Sequence, residues 1–345
     1  MSKPNVIAAV PKLLIVGAGA IGCFFGAKLA QIGCNVSFYA RAQTAIALRS
    51  GLRISDFEAP EFALDACQYK IVEPGDPLPA FDLIILTVKS TQTQGLVQVL
   101  QSISPSTPIW SLQNGVDNVS ALQAAGLAVV AGMVPFNVTQ LGMQPNSPLR
   151  FHRGTAGVLA YEAPKDPSTA LLFSRLKSMG VTLIEHADLQ PLQWAKLVLN
   201  LNNPINALSD LPLIHQLSDP GYRRCLALLQ SEALAVLKGA KIEPARILPI
   251  PLAWLPSILR LPTPIYKILA RRMLKMDANA RSSMWEDFKR HRMPEIDALC
   301  GAVVRLAAAH AGKAPANQAL LNALNAGLRN ARAAQLWQIL NAPPY

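Results

Sequence analysis

The stretch Leu13–Arg41, LLIVGAGAIGCFFGAKLAQIGCNVSFYAR, reads as a strand, a turn, a helix and a second strand. Leu13 to Val16 is a short apolar run with β character, and Gly17, Gly19 and Gly22 then stand in the order G-x-G-x-x-G. In the dinucleotide fingerprint the first glycine permits a tight turn, the second lets backbone approach a pyrophosphate, and the third lets the helix pack close to the strand. Gly26 extends that close-packing face. The segment Gly17–Gly22, with Ala20 and Ile21 between the last two glycines, places free N–H groups and the positive end of a helix dipole where phosphate would sit. A buried glycine-rich helix or a signal peptide is the bland alternative. Lys28, the phased glycines and the lack of a small-residue cleavage site argue against both.

The end of the second strand bears on the nucleotide. NAD sites place an acidic residue there to hold the ribose hydroxyls. Here the first acidic residue of any kind is Asp56, whereas Arg41 ends the strand and Arg49 and Arg53 follow. A cation without a carboxylate favours a 2′-phosphate, so the expected cofactor is NADP(H), the alternative being that Arg41 is a solvated loop residue.

Working outward, 345 residues with 51% hydrophobic and 15% charged are enough for two packed domains. No uninterrupted apolar stretch reaches membrane-spanning length, so no span is expected. The five scattered cysteines show no C-x-x-C spacing and fit a reducing cytoplasm. The five histidines show no ligand spacing, and no metal is expected. A net charge of +11 can signal nucleic acid, but no nucleic-acid motif accompanies it. Attraction of an anionic cofactor and an anionic substrate accounts for it instead.

Phe81–Val88, Ile109–Leu112 and Ala128–Val134 are expected to be strands of a parallel sheet, the first nearly continuous in apolar residues. Leu52–Val72 reads as a loop-rich excursion at the sheet edge and Phe151–Tyr161 as the strand that closes the sheet. Ser168–Met179 is a helix leading to a last strand, Val181–His186. Polar residues follow the strands, and in open parallel sheets ligands bind at those ends, so Lys89 and Asn114 are candidates to meet the cofactor. The alternatives are a solvated charge for Lys89 and an Asn-Gly turn for Asn114. From Asp188 onward β patterns stop. The fold class is therefore α/β: an N-terminal Rossmann-like dinucleotide-binding domain, 1–187, with a C-terminal all-helical domain, 188–345.

Two polar seams mark the helical part. In Trp194–Leu208, WAKLVLNLNNPINAL, Lys196, Asn200 and Asn203 fall at i, i+4 and i+7 and are expected on one helix face, with a kink at Pro204. Four asparagines (200, 202, 203 and 206) amid apolar residues need an explanation, since asparagine disfavours helix interiors. A helix end with asparagine caps is the simple one. The second seam is Ser282, Ser283, Met284 and Asp287, followed by Arg292 and Glu295. Glu295 precedes an apolar helix, where it could be an N-terminal helix charge only.

Together these pieces resemble the ketopantoate reductase (2-dehydropantoate 2-reductase) family over nearly the whole chain. The motifs are GAGAIG, TVKS at Thr87–Ser90, QNG at Gln113–Gly115, K-x-x-x-N at Lys196–Asn200, SSM-x-x-D at Ser282–Asp287, and EID followed by Gly301. The resemblance implies an NADPH-binding domain and a helical domain that together reduce a small 2-oxo acid. It implies Lys196 as general acid, Glu295 holding the substrate hydroxyl and positioning Lys196, and Ser283 and the second asparagine, Asn202 or Asn203, binding substrate. Asn114 and Asn200 would support cofactor and lysine, and Lys89 and Arg41 would lie near the cofactor phosphate.

The sequence departs from that family where Pro294 replaces threonine, where Cys300 replaces asparagine, and in the asparagine spacing, which is short by one. Residues 245–276, with five prolines and several cations, look like an insertion, serving as extra packing, a lid, a dimer surface or an interfacial membrane contact. A homodimer is thus left open. The rival readings are the same reduction of another 2-oxo acid and a non-catalytic NADPH-binding sensor.

Overall fold

A computed structural model describes residues 10–103, 106–142, 147–270 and 280–342. The chain divides into two compact units, Met1–Asn114 with Asn118–Leu189, and Gly115–Asp117 with Gln190–Tyr345.

The first unit is built on β1 (Lys12–Val16), β2 (Asn35–Tyr39), β3 (Leu52–Asp56), β4 (Ala59–Leu64), β5 (Lys70–Val72), β6 (Leu83–Leu86), β7 (Ile109–Ser111), β8 (Val129–Met133), β9 (Val138–Leu141), β10 (Leu149–Arg153), β11 (Leu159–Glu162) and β12 (Leu183–His186). Its helices are α1 (Ala20–Gln31), α2 (Ala42–Leu48), α3 (Thr93–Ile103), α4 (Asn118–Ala124) and α5 (Pro167–Ser178). Eight strands form one sheet in the order β12-β11-β8-β7-β6-β1-β2-β5. The run from β5 to β8 is parallel, and β11 enters antiparallel to β8. Strand β1 pairs with β2 on one side and β6 on the other, so the chain reverses its winding there. Open α/β sheets bind ligands at that reversal. Leu13–Val16 and Leu83–Leu86 are all buried, as strands covered on both faces must be.

Two expectations are corrected. Phe151–Tyr161 is not one closing strand: β10 ends at Arg153, and only β11 joins the large sheet. Gly154 and Gly157 interrupt the run, and Gly157 has φ +142° with no room for a Cβ against Pro135. The excursion Leu52–Val72 is likewise divided. Its last piece, β5, is the edge of the large sheet, but β3 and β4 belong to a second sheet ordered β4-β3-β10-β9.

That second sheet explains the composition of α1. A helix apolar all round must be covered all round. One side of α1 faces the large sheet, where a Cβ on Gly26 would lie 2.7 Å from the Phe38 ring, and α1 also packs on β3, β9 and β10. Lys28, the charge that told against a signal peptide, donates from Nζ to Asp56 Oδ2 at 2.7 Å, while Arg153 contacts Asp56 and Glu58. Burial pushes the Asp56 carboxyl up, but the Lys28 bond and the neighbouring cations outweigh it and hold the carboxyl below its usual range.

The second unit is helical: α6 (Gln190–Asn200), α7 (Asn202–Ser209), α8 (Leu213–Ser218), α9 (Pro220–Gly239), α10 (Leu255–Leu259), α11 (Thr263–Leu269), α12 (Ser283–Lys289), a π turn (Asp297–Gly301), α13 (Ala302–Ala309), α14 (Pro315–Asn325) and α15 (Ala333–Leu340). The 20-residue α9 is the element on which α6, α7, α8, α10, α13, α14 and α15 pack.

Part of the 245–276 insertion, 271–276, lies outside the described residues. The remainder docks through Leu252, Leu255, Leu259 and Tyr266, all buried. At its root is Arg223, fully buried. Its guanidinium donates to the carbonyls of Leu217, Ser218, Leu259 and Leu261 and to Thr263, and lies 4.3 Å from the Tyr266 ring centre. Carbonyls at the ends of short helices lack partners, and one planar cation supplies them. The opposite face leaves Trp254, Ile265, Ile268 and Leu269 exposed.

All five cysteines are free; Cys67 is exposed and the other four are buried. Among the described residues no helix is long and apolar enough to cross a membrane.

Candidate active site

The candidate site of the sheet unit is backbone. Gly17 has φ +109°, and a Cβ there would lie 2.6 Å from the Val88 nitrogen. On Gly22 a Cβ would meet the Gly17 carbonyl at 2.1 Å. Gly19 is different: nothing lies within 4 Å of its Cβ position. The first and third glycines are therefore filled by protein, and the middle one faces open space, as close approach of a pyrophosphate requires. Gly19 caps α1 with no side-chain bond, so the first-turn N–H groups after it, those of Ala20, Ile21 and Gly22, lack intrahelical acceptors. Those residues fit a dinucleotide's phosphates.

Side chains brace this turn from the neighbouring strand end. Thr87 Oγ1 donates to the Gly17 carbonyl at 2.6 Å. Beyond it, the loops after β6 and β7 are laced together. Gln113 Nε2 donates to Val88 O and Thr93 Oγ1, Thr93 to Asn118 Oδ1, and both Asn118 Nδ2 and Ser90 Oγ to Asn114 O. Lys89 precedes this lacing at the start of a short turn, and Asn114 is held through its carbonyl. Sequence reasoning singled out Lys89 and Asn114, and Thr87 within the TVKS motif, but missed Thr93 and Asn118, of which Asn118 holds the Asn114 carbonyl. The only signal for these two was their place at the starts of α3 and α4.

Arg41, two residues beyond the end of β2, is the N-cap of α2, and it is exposed. Nearby cations are committed elsewhere, Arg49 to Glu73 at 2.7 Å and Arg53 to Glu61 at 3.3 Å. No carboxylate is paired with Arg41 among the described residues.

A second candidate site lies in the helical unit and consists of side chains. Lys196, in the middle of α6, has its pKa pushed down to about 8, because burial disfavours the ammonium and the Glu295 carboxylate only partly restores it. An amine with that value is a better proton donor at neutral pH than an ordinary lysine. The structure thus brings together two of the sequence's candidates separated by about a hundred positions.

The single helix face expected for Lys196, Asn200 and Asn203 is not found. Helix α6 stops at Asn200 and α7 starts at Asn202. Pro204 has no N–H to give the Asn200 carbonyl, and its ring crowds that carbonyl, so the ladder breaks there. The asparagines then separate by role. Asn206 is fully buried, accepting from Ser282 N at 2.9 Å and donating to Leu211 O at 3.0 Å. Asn202 Oδ1 accepts from Gln216 Nε2 at 3.1 Å. Asn200 and Asn203 have partly exposed side chains engaged in neither contact.

The two seams do meet, through backbone and caps. Ser282 caps α12 and donates from Oγ to the Asn203 carbonyl at 3.2 Å. Ser283, the serine singled out from the sequence, is exposed at the first position of α12. Cys300 is fully buried with its thiol pushed up by burial, and Pro294 is buried beside Glu295. Among the described residues no cluster of His, Cys, Asp or Glu could hold a metal ion.

Two family models match this chain, "Ketopantoate reductase PanE/ApbA" over residues 13–163 and "Ketopantoate reductase PanE/ApbA C terminal" over residues 188–328. The chain belongs to the ketopantoate reductase family. It is an NAD(P)-dependent oxidoreductase of that family, with the Rossmann-like and all-helical parts that the sequence led us to expect.

Similar proteins span nine-tenths or more of its length. The 2-dehydropantoate 2-reductase of Archaeoglobus fulgidus is 24% identical over 318 residues, covering 91% of this chain and 96% of that protein. That of Caulobacter vibrioides is 26% identical over 317 residues, covering 91% and 98%. A PanE/ApbA family ketopantoate reductase from Ralstonia eutropha JMP134 superposes with a TM-score of 0.71 at 26% identity, covering 96% of this chain and 98% of that one. A D-mandelate dehydrogenase in complex with NADH and anilino(oxo)acetate shares the fold, with a TM-score of 0.73 at 20% identity and coverage of 91% and 97%.

Proposed function

We propose that this ketopantoate reductase family member uses NADPH to reduce 2-dehydropantoate to pantoate in the cytoplasm. Residues 1–187 would serve as the cofactor domain and 188–345 as the substrate and catalytic domain. The observation that carries the chemistry is the lowered pKa of Lys196 beside Glu295. The preference for NADPH rests on Arg41, a cation at the start of α2 with no carboxylate paired to it among the described residues.

NADPH, when bound, supplies the hydride that makes the ketone carbon tetrahedral. The chain's own residues deal with what remains. Negative charge develops on the carbonyl oxygen, and Lys196 Nζ stabilises it and then gives up a proton, leaving a secondary alcohol and a neutral amine that regains its proton from water. Glu295 keeps the amine's pKa from falling further and accepts a hydrogen bond from the substrate hydroxyl. Asn203 and Ser283 are assigned to substrate and Asn200 to support of Lys196. Asn203 is taken in preference to Asn202, whose amide oxygen already accepts from Gln216. On the cofactor side, the N–H groups after Gly19 hold the pyrophosphate, and Lys89 and Asn114 attend the nucleotide.

The test is oxidation of NADPH, and separately of NADH, by purified protein against a panel of 2-oxo acids that includes 2-dehydropantoate. Turnover of 2-dehydropantoate with NADPH supports the reading. Turnover of a different acid alone keeps the mechanism and changes the substrate. Tight NADPH binding with no turnover of any member favours a sensor.

A further inference from the structure

Arg305 lies on α13, outside every residue assigned above. Its guanidinium holds two carboxylates from distant parts of the sequence. Nε and Nη2 donate to Asp117 Oδ2 at 3.0 and 2.6 Å, Nη1 donates to Asp297 Oδ1 at 2.8 Å, and Nη2 donates to the Asp297 carbonyl at 3.0 Å. Burial works against the charge, but the bonds to Asp117 and Asp297 prevail and hold its pKa above the ordinary arginine value.

A surface ion pair is ordinarily worth little. This one differs in the space the chain keeps for it. A Cβ on Gly301 would lie 2.5 Å from Asp297 Oδ1 and 3.0 Å from Arg305 Nη1. Gly301 sits in ordinary helical backbone, so a side chain there would displace the Asp297 carboxylate and the Arg305 guanidinium and leave the backbone unstrained. The turn it closes, Asp297–Gly301, is a π turn, a form that recurs at functional sites.

What the arginine joins gives it meaning. Asp297 is two residues after Glu295, in the helix start that carries that carboxylate. Asp117 is three residues after Asn114, in the segment Gly115–Asp117 that groups with the helical unit while Asn114 and Asn118 on either side group with the sheet unit. Gly115 turns the chain into that segment with φ +91°.

We propose that Arg305 is a positioning residue of the reductase: by gripping Asp117 and Asp297 together it fixes the turn that begins at Asn114 and the helix start that carries Glu295. This rests on the functional reading above, since Asn114 and Glu295 matter only if they serve cofactor and lysine. Arginine is required because a single ammonium cannot reach both partners with the same fork of donors.

The experiment compares Arg305→Ala, Arg305→Lys, Asp117→Asn and the Arg305→Ala/Asp117→Asn double variant. Each is read by kcat, by KM for both substrates, by the NADPH dissociation constant from fluorescence, and by hydrogen exchange of the 113–118 segment. The proposal expects kcat to fall on the order of 10- to 100-fold in Arg305→Ala, with little rescue by lysine. The double variant should be no worse than Arg305→Ala, because both changes break the same link. Exchange at 113–118 should rise. The alkaline limb of the kcat profile should move to lower pH as Glu295 loosens from Lys196.

A lower melting temperature with unchanged kcat, pH limb and exchange at 113–118 overturns the proposal. If Arg305→Ala does not fold, Asp117→Asn, which changes no shape, carries the same readouts. If the unaltered protein turns over no 2-oxo acid, the functional reading has failed. NADPH affinity and exchange then decide on Arg305 alone, and unchanged values in both overturn it.

Discussion

The glycine turn after β1 and the polar seam of the helical unit are made of opposite materials. The turn works by removing side chains: Gly17 and Gly22 leave no space for a Cβ, Gly19 leaves space free, and the donors are backbone N–H groups. The seam works by placing side chains, Lys196 within the field of Glu295 and Ser282 Oγ on the Asn203 carbonyl. Changes in the turn should therefore act on binding and stability, and changes in the seam on turnover.

The strongest test of that contrast is Lys196→Ala. We expect kcat to fall by on the order of 10²- to 10⁴-fold while the NADPH dissociation constant stays the same. A variant with its kcat intact would remove the lysine from the chemistry.

Within the turn, the glycines should divide. Gly22→Ala forces a Cβ to within 2.1 Å of a carbonyl, so a loss of about 2–4 kcal/mol in unfolding free energy is expected, together with weakened NADPH binding. Gly19→Ala meets no protein atom and should leave the melting temperature nearly unchanged while still weakening NADPH. Thermal melts beside NADPH titrations decide it, and equal destabilisation by the two would refute the assignment of open space to the ligand.

Smaller effects sharpen each side. Arg41→Ala should raise the KM for NADPH by about tenfold or more, as loss of a charge-assisted bond does, and leave the KM for NADH nearly alone. Equal changes would mean that the 2′-phosphate is read elsewhere. In the seam, the acid form of Lys196 is needed, so kcat for reduction should decline as pH rises through about 8. Glu295 raises that pKa, so Glu295→Gln should move the decline to lower pH; a shift upward would contradict the coupling.

How much of this was legible follows from the same contrast. The first unit's nucleotide turn is contiguous, and each glycine's spacing declares its task, so Leu13–Arg41 was sufficient. The second sheet was not legible, because β3 and β10 are about a hundred residues apart and neither is apolar enough to announce a partner. The helix break at Leu201 was signalled by Pro204, yet helical periodicity carried the expectation of one face past it. Four asparagines in a row of apolar residues looked alike as letters. Only tertiary contacts show that Asn206 is a core strut and that Asn202 is taken by Gln216, while the Asn203 side chain is partly exposed. Ser283 was favoured over Ser282 by motif, while the structure gives the buried cap to Ser282. The Lys196–Glu295 pair is legible as two isolated residues and becomes a pair only through folding.

The distribution of thiols gives the molecule a built-in clock for its own opening. Cys67 is exposed and should react with a thiol reagent in the native protein, whereas Cys23 and Cys34 are sealed in the sheet unit and Cys225 and Cys300 in the helical unit. Burial raises the pKa of Cys34 to about 11 and of Cys225 to about 12, so these thiols stay silent until their surroundings open. Pulsed labelling followed by mass measurement would then time the opening of the two units separately within one unmodified chain.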